Sequence, residues 1–123
     1  NIFLRGFLEH KKLLNSFCDY DLFISHPIEV TDFVEPFHMG NMEAMSSGLP
    51  VITADCGGVP FLVKDNAIVC RQKSIEDIVK SIEQLFADKI LFNKMSVKSR
   101  KYIKDNFSHE IIVKKWREVF DEK

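Results

Sequence analysis

Two carboxylates, Glu35 and Glu43, bracket the segment EPFHMGNME, with seven residues between them. The intervening PFHMGNM has the composition of a loop turning into a helix start. Met42 and Met45 then recur at helical spacing, and Gly48 stands where a helix end favours a left-handed residue. The first backbone N–H groups of a helix lack internal partners and carry about half a positive charge, which favours an anion such as a diphosphate. Here those donors come from His38, Met39, Gly40 and Asn41. Helical side chains lean toward the N-terminus, so Glu43 is expected to tilt back to the same mouth, where a carboxylate can accept two hydrogen bonds from a ribose diol. Glu35, before the helix, could do the same for a sugar hydroxyl. Loop, helix, the apolar run Leu49–Ala54 and then Gly57-Gly58 is the grammar of an α/β ligand site.

EPFHMGNMEAM followed by SGLPVITADCGGVP resembles the E-x7-E region of retaining GT-B glycosyltransferases, in their nucleotide-sugar-binding C-terminal domain. Two spaced glutamates are weak alone; EAM-x-x-GLPVI and GGVP in register make the signal specific. IFLRGF, DLFISHP and KDNFSHEIIVKKW extend the resemblance over almost the whole chain. It implies that Glu43 holds the donor ribose and that Glu35, the candidate catalytic residue, lies against the donor sugar. It also implies that the backbone from Phe37 through Asn41 meets the diphosphate and sugar. The implied reaction is retaining transfer of a hexosyl group from a nucleoside diphosphate sugar to a glycan or cell-envelope acceptor, without metal or cofactor. Three departures stand out: His38 occupies a usual glycine position, Phe61 replaces a usual glutamate, and VTDFV adds loop length before Glu35.

The elements that must position these residues alternate in type. Ile2–Leu4 reads as a short strand and Glu9–Asp19 as a helix with Leu13, Leu14, Phe17 and Cys18 on one face. Leu22–Ile24 is an uninterrupted apolar strand of the kind covered on both faces. Pro27 opens the loop to Glu35, and Ala67–Cys70 is the strand after the glycine pair. Ser74, Asp88 and Ser108 are expected to cap three successive helices. The first carries Ile75, Ile78, Val79, Ile82, Leu85 and Phe86 as a stripe. The second turns Leu91, Met95 and Tyr102 inward, and the third carries Ile112, Trp116, Val119 and Phe120 on one face. The fold class is therefore α/β: a Rossmann-like parallel sheet with flanking helices and a C-terminal helical tail. His26, at a strand's C-terminal end, is placed near the ligand mouth with Gly57 and Gly58.

Composition narrows the alternatives. The 123 residues carry a net charge of −1 with lysines spread along amphipathic helices, which argues against a nucleic-acid surface. No apolar run reaches the ~18 residues of a membrane span. Cys18, Cys56 and Cys70 lack a paired spacing and read as reduced thiols of a cytoplasmic protein; the resemblance allows the parent enzyme a place at the inner face of a membrane. His26, His38, Glu29, Asp32 and Glu35 could in principle gather round a metal, but no pair has a specific ligand spacing. A phosphoacceptor receiver domain fails because Ser25 and His26 occupy the strand end where an aspartate is required. Asn1 is not methionine, and on the GT-B resemblance the chain is expected to begin at the third of six strands. The diphosphate-binding cations and the acceptor-binding N-terminal domain would then lie elsewhere in the parent. A donor-binding or interaction module without turnover thus remains an open reading. Sheet edges left bare in this way would favour self-association.

Overall fold

The computed structural model describes residues 2–121. Three parallel strands lie in the order β1 (Phe23–Ile24), β2 (Val51–Ala54), β3 (Ile68–Cys70). The register pairs Phe23 with Val51, Ile52 with Ile68, and Ala54 with Cys70. α1 (His10–Ser16) and a 3₁₀ turn (Phe17–Asp19) precede β1; α2 (Met39–Ser47) connects β1 to β2. α3 (Val59–Val63) and a second 3₁₀ turn (Lys64–Asn66) lead to β3, and α4 (Ile75–Ala87), α5 (Lys89–Phe107) and α6 (His109–Asp121) complete the chain.

β2 is the axis of the molecule because all four of its residues are buried. Successive strand residues face opposite ways, and the two cores follow from that alternation. Val51 joins Phe17, Ala44, Met45, Val59, Leu62, Val63 and Ile103 on one face, whereas Ile52 joins Cys70, Leu85 and Met95 on the other. α5 reaches both clusters, so this one long helix ties the two faces together.

Local chemistry explains the helix limits. α2 ends at Gly48, whose φ of 87° lets its N–H return to the carbonyls of Ala44 and Met45. The Ser74 hydroxyl accepts the Asp77 N–H at the start of α4, and the Asp88 carboxylate accepts the N–H groups of Ile90 and Leu91 at the start of α5.

Several expectations are corrected. Residues 2–4 form no strand; the side chains of Ile2, Phe3 and Leu4 are exposed, and a strand without a hydrogen-bonded neighbour has nothing to hold it. The helix expected over Glu9–Asp19 tightens into a 3₁₀ turn at Phe17. Phe17 is buried, but Leu14 and Cys18 face outward, so the apolar face is narrower than the pattern suggested. β1 is not covered on both faces: Ile24 is exposed, because β1 is an edge strand. Along α4, Leu85 is buried while Ile75, Val79 and Phe86 are exposed, and Trp116, Val119 and Phe120 of α6 also face outward. Cys56 and Cys70 are buried free thiols. No helix among the described residues is long and apolar enough to cross a membrane.

Candidate functional site

In a parallel sheet the strands end at one edge, and the helix after β1 starts at that edge. Ser25 and His26 follow β1, Asp55–Gly58 follow β2, Arg71–Lys73 follow β3, and the N-terminal turn of α2 opens among them. A closed ring of hydrogen bonds locks this turn to the sheet. Ser25 Oγ donates to Asn41 Oδ1 (2.6 Å), Asn41 Nδ2 donates to Thr53 Oγ1 (3.0 Å), and the Thr53 hydroxyl completes the ring to Ser25 Oγ (2.9 Å). The shortest contact suits O–H···O and the longest N–H···O, which fixes the amide orientation. Asn41 and Thr53 are fully buried. Replacing Asn41 with alanine leaves the Ser25 and Thr53 hydroxyls only each other as partners and is expected to cost about 1–3 kcal/mol. Chemical denaturation checks this; loss of less than about 1 kcal/mol would mean that water replaces the amide.

His38 is the N-cap of α2. Its Nδ1 accepts the Asn41 N–H at 3.2 Å, and its carbonyl oxygen accepts the same N–H at 3.1 Å. The imidazole thus turns back onto its own helix, its Cε1 only 3.1 Å from where a side chain on Gly40 would begin. Asn41, in turn, has its backbone N–H and its side chain already engaged. The N–H groups of Met39 and Gly40 have no acceptor among the described residues, which leaves two donors with the helix dipole behind them.

The carboxylates lie on either side of this turn in the chain. Glu35 is half-buried, and its Oε1 accepts the Phe37 N–H at 3.3 Å. Phe37 leans on Phe107 at the end of α5, with ring centroids 6.3 Å apart. Glu43 meets His10 Nε2 at 2.8 Å, bringing together residues 33 positions apart. Gly57 and Gly58 are anything but a loose pair. The Gly58 N–H donates to the Glu35 carbonyl at 3.0 Å, and a side chain on Gly58 would begin 2.0 Å from the Pro36 carbonyl oxygen. A side chain on Gly57 would begin 2.2 Å from the Glu35 carbonyl oxygen. Backbone packed on backbone therefore sets where Glu35 stands.

A lattice of polar contacts holds the rest of the mouth. Glu29 Oε1 accepts the Gly57 N–H, and Gln72 bridges the Glu29 N–H and the Asp55 carbonyl at 2.7 Å each. His26 Nε2 accepts the Lys73 N–H at 2.9 Å, so its other nitrogen carries the proton; that Nδ1 is buried without a partner among the described residues. His26 and Glu29 are thereby committed to the loop after β3 and to Gly57, and His38 to Asn41. Among the described residues, no three His, Cys, Asp or Glu side chains gather in a way that could hold a metal ion.

Asp77 anchors the same loop by binding the Arg71 side chain through both oxygens at 2.8 Å and the Arg71 N–H at 3.0 Å. The Arg71 side-chain hydrogen bonds hold the Asp77 carboxyl well below the usual carboxylate range. A carboxylate depressed in the folded state contributes stability above its unfolded pKa of about 4 and loses it as pH falls through the folded value. The melting-temperature difference between wild type and Asp77→Asn is therefore expected to be constant from pH 7 to about pH 5 and to shrink in stronger acid. A difference that widened with acid would contradict the sign.

Sequence reading missed Ser25, Thr53 and His10 as contributors, and with them Gln72, Arg71 and Asp77. Ser25 and Thr53 leave a signal, each being a hydroxyl at or within an otherwise apolar strand run. His10 leaves none, because its partner is fixed by tertiary packing alone.

At the carboxyl edge of the sheet, where α/β folds bind their ligands, the N-terminal turn of α2 thus stands with a carboxylate before it and another after it in the chain. The comparison with known proteins makes this specific: residues 1–106 match the family Glycosyl transferases group 1, and the chain belongs to that family. It is 36% identical over 81 residues to an uncharacterized glycosyltransferase of Haemophilus influenzae, covering 63% of this chain and 23% of that protein. It is 32% identical over 119 residues to the poly(glycerol-phosphate) alpha-glucosyltransferase of Bacillus subtilis, covering 94% of this chain and 16% of that enzyme. The fold matches sucrose-phosphate synthase of Thermosynechococcus elongatus with a TM-score of 0.74 at 20% identity, over 96% of this chain and 30% of that one. The chain thus spans less than a third of the length of each of these relatives.

Proposed function

We propose that this chain is the donor-binding part of a retaining glycosyltransferase that takes a hexosyl group from a nucleoside diphosphate sugar. One observation carries the reading: the Met39 and Gly40 N–H groups, with no acceptor among the described residues, open α2 between Glu35 and Glu43. The diphosphate sits against that turn, the ribose diol on Glu43, and the sugar beside Glu35 and the Gly57-Gly58 backbone. The acceptor is a glycan or lipid-linked saccharide held by a further domain of the parent enzyme. His38 shapes the turn as its cap, with its Nδ1 engaged by the Asn41 N–H.

Retaining transfer needs donor and acceptor held together and the charge on the leaving diphosphate stabilised. The turn at Met39–Gly40 supplies part of that stabilisation, and no lysine or arginine bonds to it among the described residues. The 123-residue chain is therefore expected to bind donor without turnover. The test mixes it with nucleoside diphosphate sugars and simple acceptors and follows release of nucleoside diphosphate. Release above the blank that requires acceptor and vanishes in Glu35→Ala would show that these residues suffice for transfer.

A further inference from the structure

The Glu43 side chain has one hydrogen-bonding partner among the described residues, and it is His10. The contact is 2.8 Å long and joins the first residue of α1 to the second turn of α2. An ionised carboxylate can only accept, so His10 Nε2 carries the proton and donates. His10 is about two-thirds exposed while Glu43 is one-fifth exposed, so the histidine reaches in from the surface to a partly sheltered acid.

We infer that His10 is a positioning residue for ligand recognition by Glu43: it fixes the carboxylate in the orientation a vicinal diol requires. This rests on the proposed role of Glu43 as the ribose ligand. A carboxylate offers about four lone-pair positions. His10 occupies one on Oε1, and those left on Oε1 and Oε2 are enough for the two hydroxyls of a ribose. A long glutamate side chain left free would have to give up its rotamer freedom when ligand arrives. Held by His10, it has already done so, and the saving appears as affinity. An exposed pair of this kind adds little to folding stability, so its effect belongs in diol recognition rather than in melting behaviour. Glutamine at position 10 carries an N–H at similar reach and should stand in for the imidazole; alanine cannot.

The experiment titrates the chain calorimetrically with uridine, guanosine, adenosine and cytidine diphosphates and with their 2′,3′-dideoxy counterparts. The expected result is that His10→Ala weakens the preferred ribonucleoside diphosphate by about three- to tenfold, the scale of one hydrogen bond. It should leave the dideoxy compound unchanged within about twofold, and His10→Gln should restore most of the loss. Equal losses on both compounds, or none on either, would overturn the inference. Glu43→Gln separates the two levels. If it leaves the preference for the diol intact, the ribose assignment itself falls. If it erases the preference and His10→Ala does not reduce it, only the role of His10 falls.

Discussion

Replacing Gly58 with alanine is expected to damage this domain more than any surface change. The φ of Gly58 is −82°, so alanine suffers no backbone strain there. The collision is what matters: the new Cβ would begin 2.0 Å from the Pro36 carbonyl oxygen and 3.0 Å from its carbon. The far side of the contact is backbone, not a flexible side-chain tip. The segment carrying Glu35 must retreat, and the Gly58 N–H to Glu35 carbonyl bond must open with it. Overpacking of this kind costs about 1–3 kcal/mol, to which a lost hydrogen bond adds roughly 1. A fall in melting temperature of roughly 10 °C follows for a domain of this size. Donor affinity should fall with it, because the displaced segment leads directly into α2. A Gly58→Ala variant that melts and binds like wild type would mean that the approach of the two backbones is not structural.

Replacing Glu43 with glutamine is expected to act the opposite way, on binding and hardly at all on folding. The amide keeps an oxygen for His10 and nearly the same volume, so the melting temperature should move by no more than a degree or two, within the small range typical of partly exposed substitutions. The charge-assisted hydrogen bonds to the ligand diol are lost. That is worth about 1–3 kcal/mol, or roughly ten- to hundredfold in the dissociation constant of the nucleoside diphosphate sugar. Calorimetry on the two proteins checks this. Equal affinities with equal melting would remove Glu43 from the ligand site.

What was legible in the sequence was what local chemistry decides. The run Leu49–Ala54 announced a short buried strand; Gly48 announced the end of α2, and Ser74 and Asp88 the starts of α4 and α5. The strand expected at residues 2–4 failed because a strand is a pairing, and composition alone does not supply the partner. α3 went unread because Val59–Val63 is short, apolar and interrupted by Pro60, which at a helix start is compatible with the helix but in a pattern looks like a break. His38 was legible as a departure from a usual glycine but not as a cap: its ring accepts the Asn41 N–H, a task usually given to serine or aspartate. The Ser25–Asn41–Thr53 ring and the His10–Glu43 contact join residues far apart in the chain, so neither leaves a spacing to recognise.

The central claim is that the open turn of α2 receives a diphosphate. Amide chemical shifts of the ¹⁵N-labelled chain, recorded as a nucleoside diphosphate sugar is added, test it most directly. The account expects the Met39 and Gly40 amide signals to move most and to saturate together. The Asn41 amide, already bonded to His38, should move less. Saturable shifts centred elsewhere, for example along α5, with Met39 and Gly40 unmoved, would contradict it.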